Sequence, residues 1–100
     1  MGERKDIAEF GKCVSASQIL ARGKIAIHSV TLIATSGGTA DITIYDGDNT
    51  SAEKKIKVTA PASGTRQVIF PRGYPLNQAM YVNVGSNVDC VYITWSFREG

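Results

Sequence analysis

From Thr39 to Asp46 every second residue is apolar, with Ala40, Ile42 and Ile44 set against Asp41, Thr43 and Tyr45. A period of two sends successive side chains to opposite faces of a strand, one set for a core and the other for water. Asp46-Gly47 then stops the run, because glycine reaches turn conformations at little steric cost. The same unit of strand and punctuation recurs along the chain. Lys24 to Thr35 is long and rich in β-branched residues, which suit a pleated surface. Its phase changes midway: Ile25, Ile27 and Ile33 share one face, Val30 and Leu32 the other. An extra residue near His28–Ser29 accounts for this, since a bulge flips every later side chain.

The remaining strands follow the same logic. Ser36-Gly37-Gly38 reads as a hairpin turn, and Gly47 to Ala52 as a loop. Glu53 to Ala60 turns Ile56 and Val58 inward. Thr65 to Phe70 pairs Val68 with Phe70 and ends at Pro71-Arg-Gly-Tyr-Pro75, because proline lacks the ladder donor. Ala79 to Gly85 sets Met80, Val82 and Val84 together. Val88 to Phe97 places Val91, Ile93, Trp95 and Phe97 in the core, against Cys90, Tyr92 and Thr94. Seven or eight strands at even spacing, with no helical period, predict a single-domain antiparallel β-sandwich over residues 13–100. A jelly roll is the preferred topology and an immunoglobulin-like sandwich the second, although Trp95 follows both cysteines instead of lying between them. Residues 1–12, charged with both signs, read as a short N-terminal arm.

Composition narrows the function classes. The net charge of +2, from 11 basic and 9 acidic residues spread along the chain, creates no strong field for nucleic acid or a membrane surface. Lys54-Lys55-Ile56-Lys57 is a solvated strand face. No stretch reaches the roughly 20 apolar residues that span a bilayer, and the charged residues 1–10 lack the apolar run of an export leader. Without such a leader, Cys13 and Cys90 are expected as reduced thiols, with a bridge between them the lesser alternative, and Cys90 as a small buried hydrophobe.

The residues offer little chemistry. His28 is the one histidine and sits mid-strand. An enzyme would need it beside a carboxylate such as Asp41 or Asp89. Neither a C-x-x-C pair nor a G-x-S-x-G elbow nor a phosphate-binding loop occurs. Asp46-Gly47-Asp48-Asn49 looks like a calcium loop, but the EF-hand glycine would fall on Ser51 and the bidentate glutamate on Lys57. A turn needs the same residues for backbone reasons. The expectation is therefore no catalytic residue, no metal ligand and no cofactor. Ile7, Phe10, Tyr45, Tyr74 and Tyr81 are the candidates for a protein interface.

Three segments carry a family resemblance: Leu32 to Gly47 with its Thr43-Ile-Tyr-Asp-Gly47 strand end, Phe70-Pro-Arg-Gly73, and Ala79 to Val88 with Tyr81-Val-Asn-Val84. Together they resemble small virion proteins of tailed bacteriophages. The resemblance implies a jelly-roll-like domain that decorates or assembles with the particle, in contact with capsid or other phage structural proteins. It implies no catalytic residues. The expected state is a homo-oligomer, a trimer or other ring, located in the virion and assembled in the host cytoplasm. The alternative is a carbohydrate- or receptor-binding sandwich that works through loops 46–52 and 71–78.

Overall fold

The computed structural model describes residues 9–98, which form eight strands and no helix. In chain order these are β1 Glu9–Val14, β2 Gln18–Arg22, β3 Ile25–Ala34, β4 Ala40–Asp46, β5 Glu53–Ala60, β6 Thr65–Leu76, β7 Ala79–Val84 and β8 Val88–Phe97. They make two four-stranded antiparallel sheets, one in the order β1-β8-β3-β6 and the other β2-β7-β4-β5. The inward set of each strand meets in one core. Ile25, Ile27, Val30, Leu32, Val91 and Ile93 come from the first sheet, and Ile42, Ile44, Ile56, Val58, Met80 and Val82 from the second. Of the segment 1–12 read as an arm, Glu9–Lys12 begin β1, paired with Ile93–Ser96 of β8. Residues 1–8 lie outside the described residues.

The phase change in β3 is a bulge. Its register against both β6 and β8 shifts between Ile27 and Ser29, so His28 is the additional residue. Ile25 and Ile27 before it, and Val30 and Leu32 after it, all point into the core without exposure. Ile33 is thereby turned outward, opposite Cys90.

Two turn expectations are corrected. Ser36-Gly37-Gly38 does not close a hairpin, because β3 and β4 belong to different sheets. Only the β4–β5 connection joins neighbours within one sheet. Nor do Pro71 and Pro75 end a strand, since β6 continues through both to Leu76. β6 is the outer strand of its sheet, and an edge strand can leave the missing donor on its unpaired side. Gly73 makes the passage feasible. Its φ of +79° belongs to the left-handed region, and a Cβ there would lie 2.9 Å from that of Ala26.

One end of the sandwich is fastened by two charged side chains. Asp46, only 6% exposed, accepts backbone hydrogen bonds from Asn77, Gln78 and Ala79, the Gln78 bond being 2.8 Å long. Arg98 donates to the carbonyls of Ile25 and Leu76 and to the side chain of Asn77. The sheet-crossing turn from β6 to β7 is thus held from both sides.

Candidate interaction surface

The calcium-like loop resolves into structure first. With the Asp46 carboxylate facing three backbone donors, its lone pairs are engaged in the fold. Burial raises its pKa, but the N–H groups of Gln78, Asn77 and Ala79 and the charge of Lys55 lower it by more, so it titrates below its ordinary range. Asp48 pairs with Arg22 at 2.8 Å, and Asn49 accepts from the Ser51 amide at 2.8 Å as an Asx turn does. No group of three or more His, Cys, Asp or Glu gathers among the described residues.

His28 lines a shallow depression of about 380 Å³ with Glu9, Ile69, Phe70, Pro71 and Ser96. Its Nε2 and the Ser96 Oγ are hydrogen-bonded at 2.8 Å. Ser96 is 5% exposed, so this hydroxyl is enclosed by its partner instead of being offered to a substrate. No carboxylate bonds the second ring nitrogen among the described residues. Asp41 is on the other sheet with its carboxylate close to Gly85, and Asp89 is exposed near the start of β8. The arrangement lacks the oriented base and reachable nucleophile that acyl transfer requires.

The cysteines correct a further expectation. Cys13 and Cys90 are joined as a disulfide, with their Cα atoms 5.8 Å apart. Cys13 lies opposite Tyr92 and Val14 opposite Val91, so Cys90 is the diagonal neighbour of Cys13 on the outer face of the sheet. Such neighbours are close enough for a bridge. Cys13 is exposed and Cys90 half-buried, so Cys90 is not the small buried hydrophobe that alternation suggested.

The sequence-derived interface residues do not gather. Ile7 falls outside the described residues. Phe10 is 42% exposed at the start of β1, with its ring on Trp95 and Phe97. Tyr45 and Tyr81 form a half-buried pair on the other sheet, ring centroids 6.3 Å apart. Tyr74 packs edge-on against Phe70 and donates its hydroxyl to the Lys55 carbonyl. The structure instead shows a different set. The exposed large hydrophobics among the described residues are Phe10, Ile69, Tyr92 and Phe97, and all four belong to the β1-β8-β3-β6 sheet. Phe97, expected in the core with Ile93 and Trp95, is 44% exposed because it ends β8 beyond the cover of the other sheet. Beside Phe10 the Trp95 indole N–H is buried and finds no acceptor among the described residues.

The four sheet edges differ in kind. β5 carries Lys54, Lys55 and Lys57, and β6 carries Pro71 and Pro75, both of which discourage further strand pairing. β1 and β2, the two edges on the opposite side of the sandwich, hold no proline and few charges.

No described protein family matches the chain, and no curated protein does. Among solved structures, it is similar to a subunit of Bacillus endospore appendages, described as a novel family of disulfide-linked pili. The TM-score is 0.50 at 10% identity, covering 96% of this chain and 93% of that one. That likeness is one of fold. Weaker matches are a virus-like particle of the Macrobrachium rosenbergii extra small virus (TM-score 0.39, 12% identity, 99% of this chain and 86% of that one) and a Sphingomonas hydroquinone 1,2-dioxygenase (TM-score 0.34, 9% identity, 99% and 64%).

Proposed function

We propose that this chain is a non-catalytic structural subunit of a bacteriophage particle, a capsid-decoration or head- or tail-associated protein that acts through protein–protein contacts. The observation that carries the reading is that one sheet exposes Ile69 and Tyr92 on its outer face and Phe10 and Phe97 at its open end, while the depression beside His28 is shallow. Large apolar side chains left exposed on one sheet suit contact with another protein. The strand orders 1-8-3-6 and 2-7-4-5, with all but one connection crossing between sheets, support taking the sandwich as a jelly roll. The phage context rests on the strand-end motifs at Thr43–Gly47, Phe70–Gly73 and Tyr81–Val84. The Bacillus appendage subunit of similar fold belongs to disulfide-linked pili, which supports an assembling role.

In this reading identical copies associate, as a trimer or other closed ring, and bind capsid or neighbouring structural proteins. Each weak contact then gains from repetition on the lattice. Assembly takes place in the host cytoplasm, and the Cys13–Cys90 bridge closes once the particle meets oxidising surroundings. The test is mass spectrometry of purified virus particles from cells that carry the gene. A copy number in fixed ratio to the capsid protein is expected. Recovery only in the particle-free fraction would overturn the proposal.

A further inference from the structure

We infer that the Cys13–Cys90 bridge is a redox latch on the edge strand β1, and that its reduction lets β1 leave β8 while the rest of the sandwich stays folded. The inference does not depend on which particle carries the protein. β1 is a lightly buried edge strand. Five of its six residues are exposed and only Val14 is buried. Its ladder partner is β8 alone, since β1 is the outer strand of its sheet. Gly11 contributes no side chain and lies beneath the Tyr92 ring. Phe10 gives up part of its burial at the open end of the sandwich. What holds it is a six-residue ladder, one buried valine, the Phe10 ring against Trp95 and Phe97, and the bridge.

A strand so placed belongs to the low-stability end of a native structure, where local opening precedes global unfolding. The bridge raises the cost of that opening by tying β1 to β8 across a sequence separation of 77. It is also reachable, because Cys13 is exposed on the outer face, and exposed bridges are the ones that exchange with small thiols. In the opening step a dithiol such as dithiothreitol supplies two electrons. The Sγ–Sγ bond breaks, each cysteine sulfur takes up one proton from the reductant's thiols, and the reductant leaves as its cyclic disulfide. Oxidation by a disulfide such as oxidised glutathione reverses this. Once β1 departs, the β8 edge from Val91 to Ser96 is uncovered, with its ladder groups free for another strand.

Residue-resolved amide exchange of the oxidised protein, of the same protein in dithiothreitol, and of the Cys13→Ser/Cys90→Ser variant tests this. In both unbridged forms the β1 amides, and the β8 amides that face β1, should exchange on the order of a hundredfold faster, about 2.8 kcal/mol at 1.4 kcal/mol per decade. Amides in β3, β4 and β7 should change by less than about tenfold relative to the oxidised protein. Equal acceleration in every strand would mean that the bridge supports the whole fold, and would overturn the inference. So would unchanged exchange in β1. The double variant distinguishes loss of the bond from any other action of the reductant, and agreement between the two unbridged forms is required.

Discussion

Replacing Asp46 with alanine removes the acceptor that holds the β6–β7 turn. Three backbone donors, on Asn77, Gln78 and Ala79, converge on this carboxylate at 3.1, 2.8 and 3.4 Å from Oδ1, and Asn77 also reaches Oδ2 at 3.1 Å. Hydrogen bonds to a charged group contribute about 1.5–3 kcal/mol each, and bonds that share one oxygen do not add fully. Stranded donors cost a further fraction of that range when water cannot reach them. With Asp46 only 6% exposed, the sum is about 3 kcal/mol. For a domain of this size that lowers Tm by about 12–24 °C. Asp46→Asn keeps an oxygen but places an amide near the Asn77 N–H, and should lose about half as much.

The pH dependence follows from the lowered pKa. A carboxyl that titrates below its unfolded value, near 3.8, contributes in full above that value. The contribution is lost as the pH falls through the folded pKa. Urea unfolding from pH 7 down to pH 2 should therefore show a constant gap between wild type and Asp46→Asn at neutral and mildly acidic pH. The gap should narrow only below the ordinary carboxylate range. A loss under 0.5 kcal/mol for Asp46→Ala at pH 7, or a gap that persists undiminished in acid, would refute the reasoning.

Other substitutions probe separate parts of the structure. Gly73→Ala strains a backbone at φ +79° and pushes a methyl toward Ala26, so it should cost about 2 kcal/mol in chemical denaturation. Ile44→Ala empties a fully enclosed site in β4 and should cost about 3–4 kcal/mol by the same measurement. Ile69→Lys alters a side chain that is 61% exposed, so stability should stay within about 0.5 kcal/mol of wild type. Sedimentation analysis should nevertheless show self-association weakened by about tenfold or more, because a charge is now placed in the apolar contact.

Much of the fold was legible because alternation is local. The Ala40–Asp46 strand could be read directly, and Ile42 and Ile44 are fully buried as their phase requires. Even the bulge at His28 left its mark, since one inserted residue shifts the phase of the isoleucines on either side. Sheet membership left no such mark. Ser36-Gly37-Gly38 has the composition of a turn whether it returns the chain to the same sheet or carries it across to the other. The prolines of β6 misled for a related reason. Whether a strand lies at an edge is a tertiary property, and only at an edge is the absent donor harmless. The Cys13–Cys90 pairing depends on β1 returning to β8 from 77 residues away, which no local pattern encodes.

The surface was less readable than the core. Phe10 was identified because it stands in a charged segment. Ile69 carried a usable signal, being an isoleucine in the opposite phase to Val68 and Phe70. Phe97 carried none, since periodicity assigns a face but does not say how far the opposite sheet extends to cover it.

The central claim is that this protein acts by associating through apolar side chains exposed on the β1-β8-β3-β6 sheet. Light scattering of the oxidised protein from micromolar to millimolar concentration tests it most directly. The account predicts a molar mass that rises with concentration to a defined multiple of the 10.7 kDa chain, and a rise that Ile69→Lys suppresses. A mass fixed at the monomer over the whole range would contradict it.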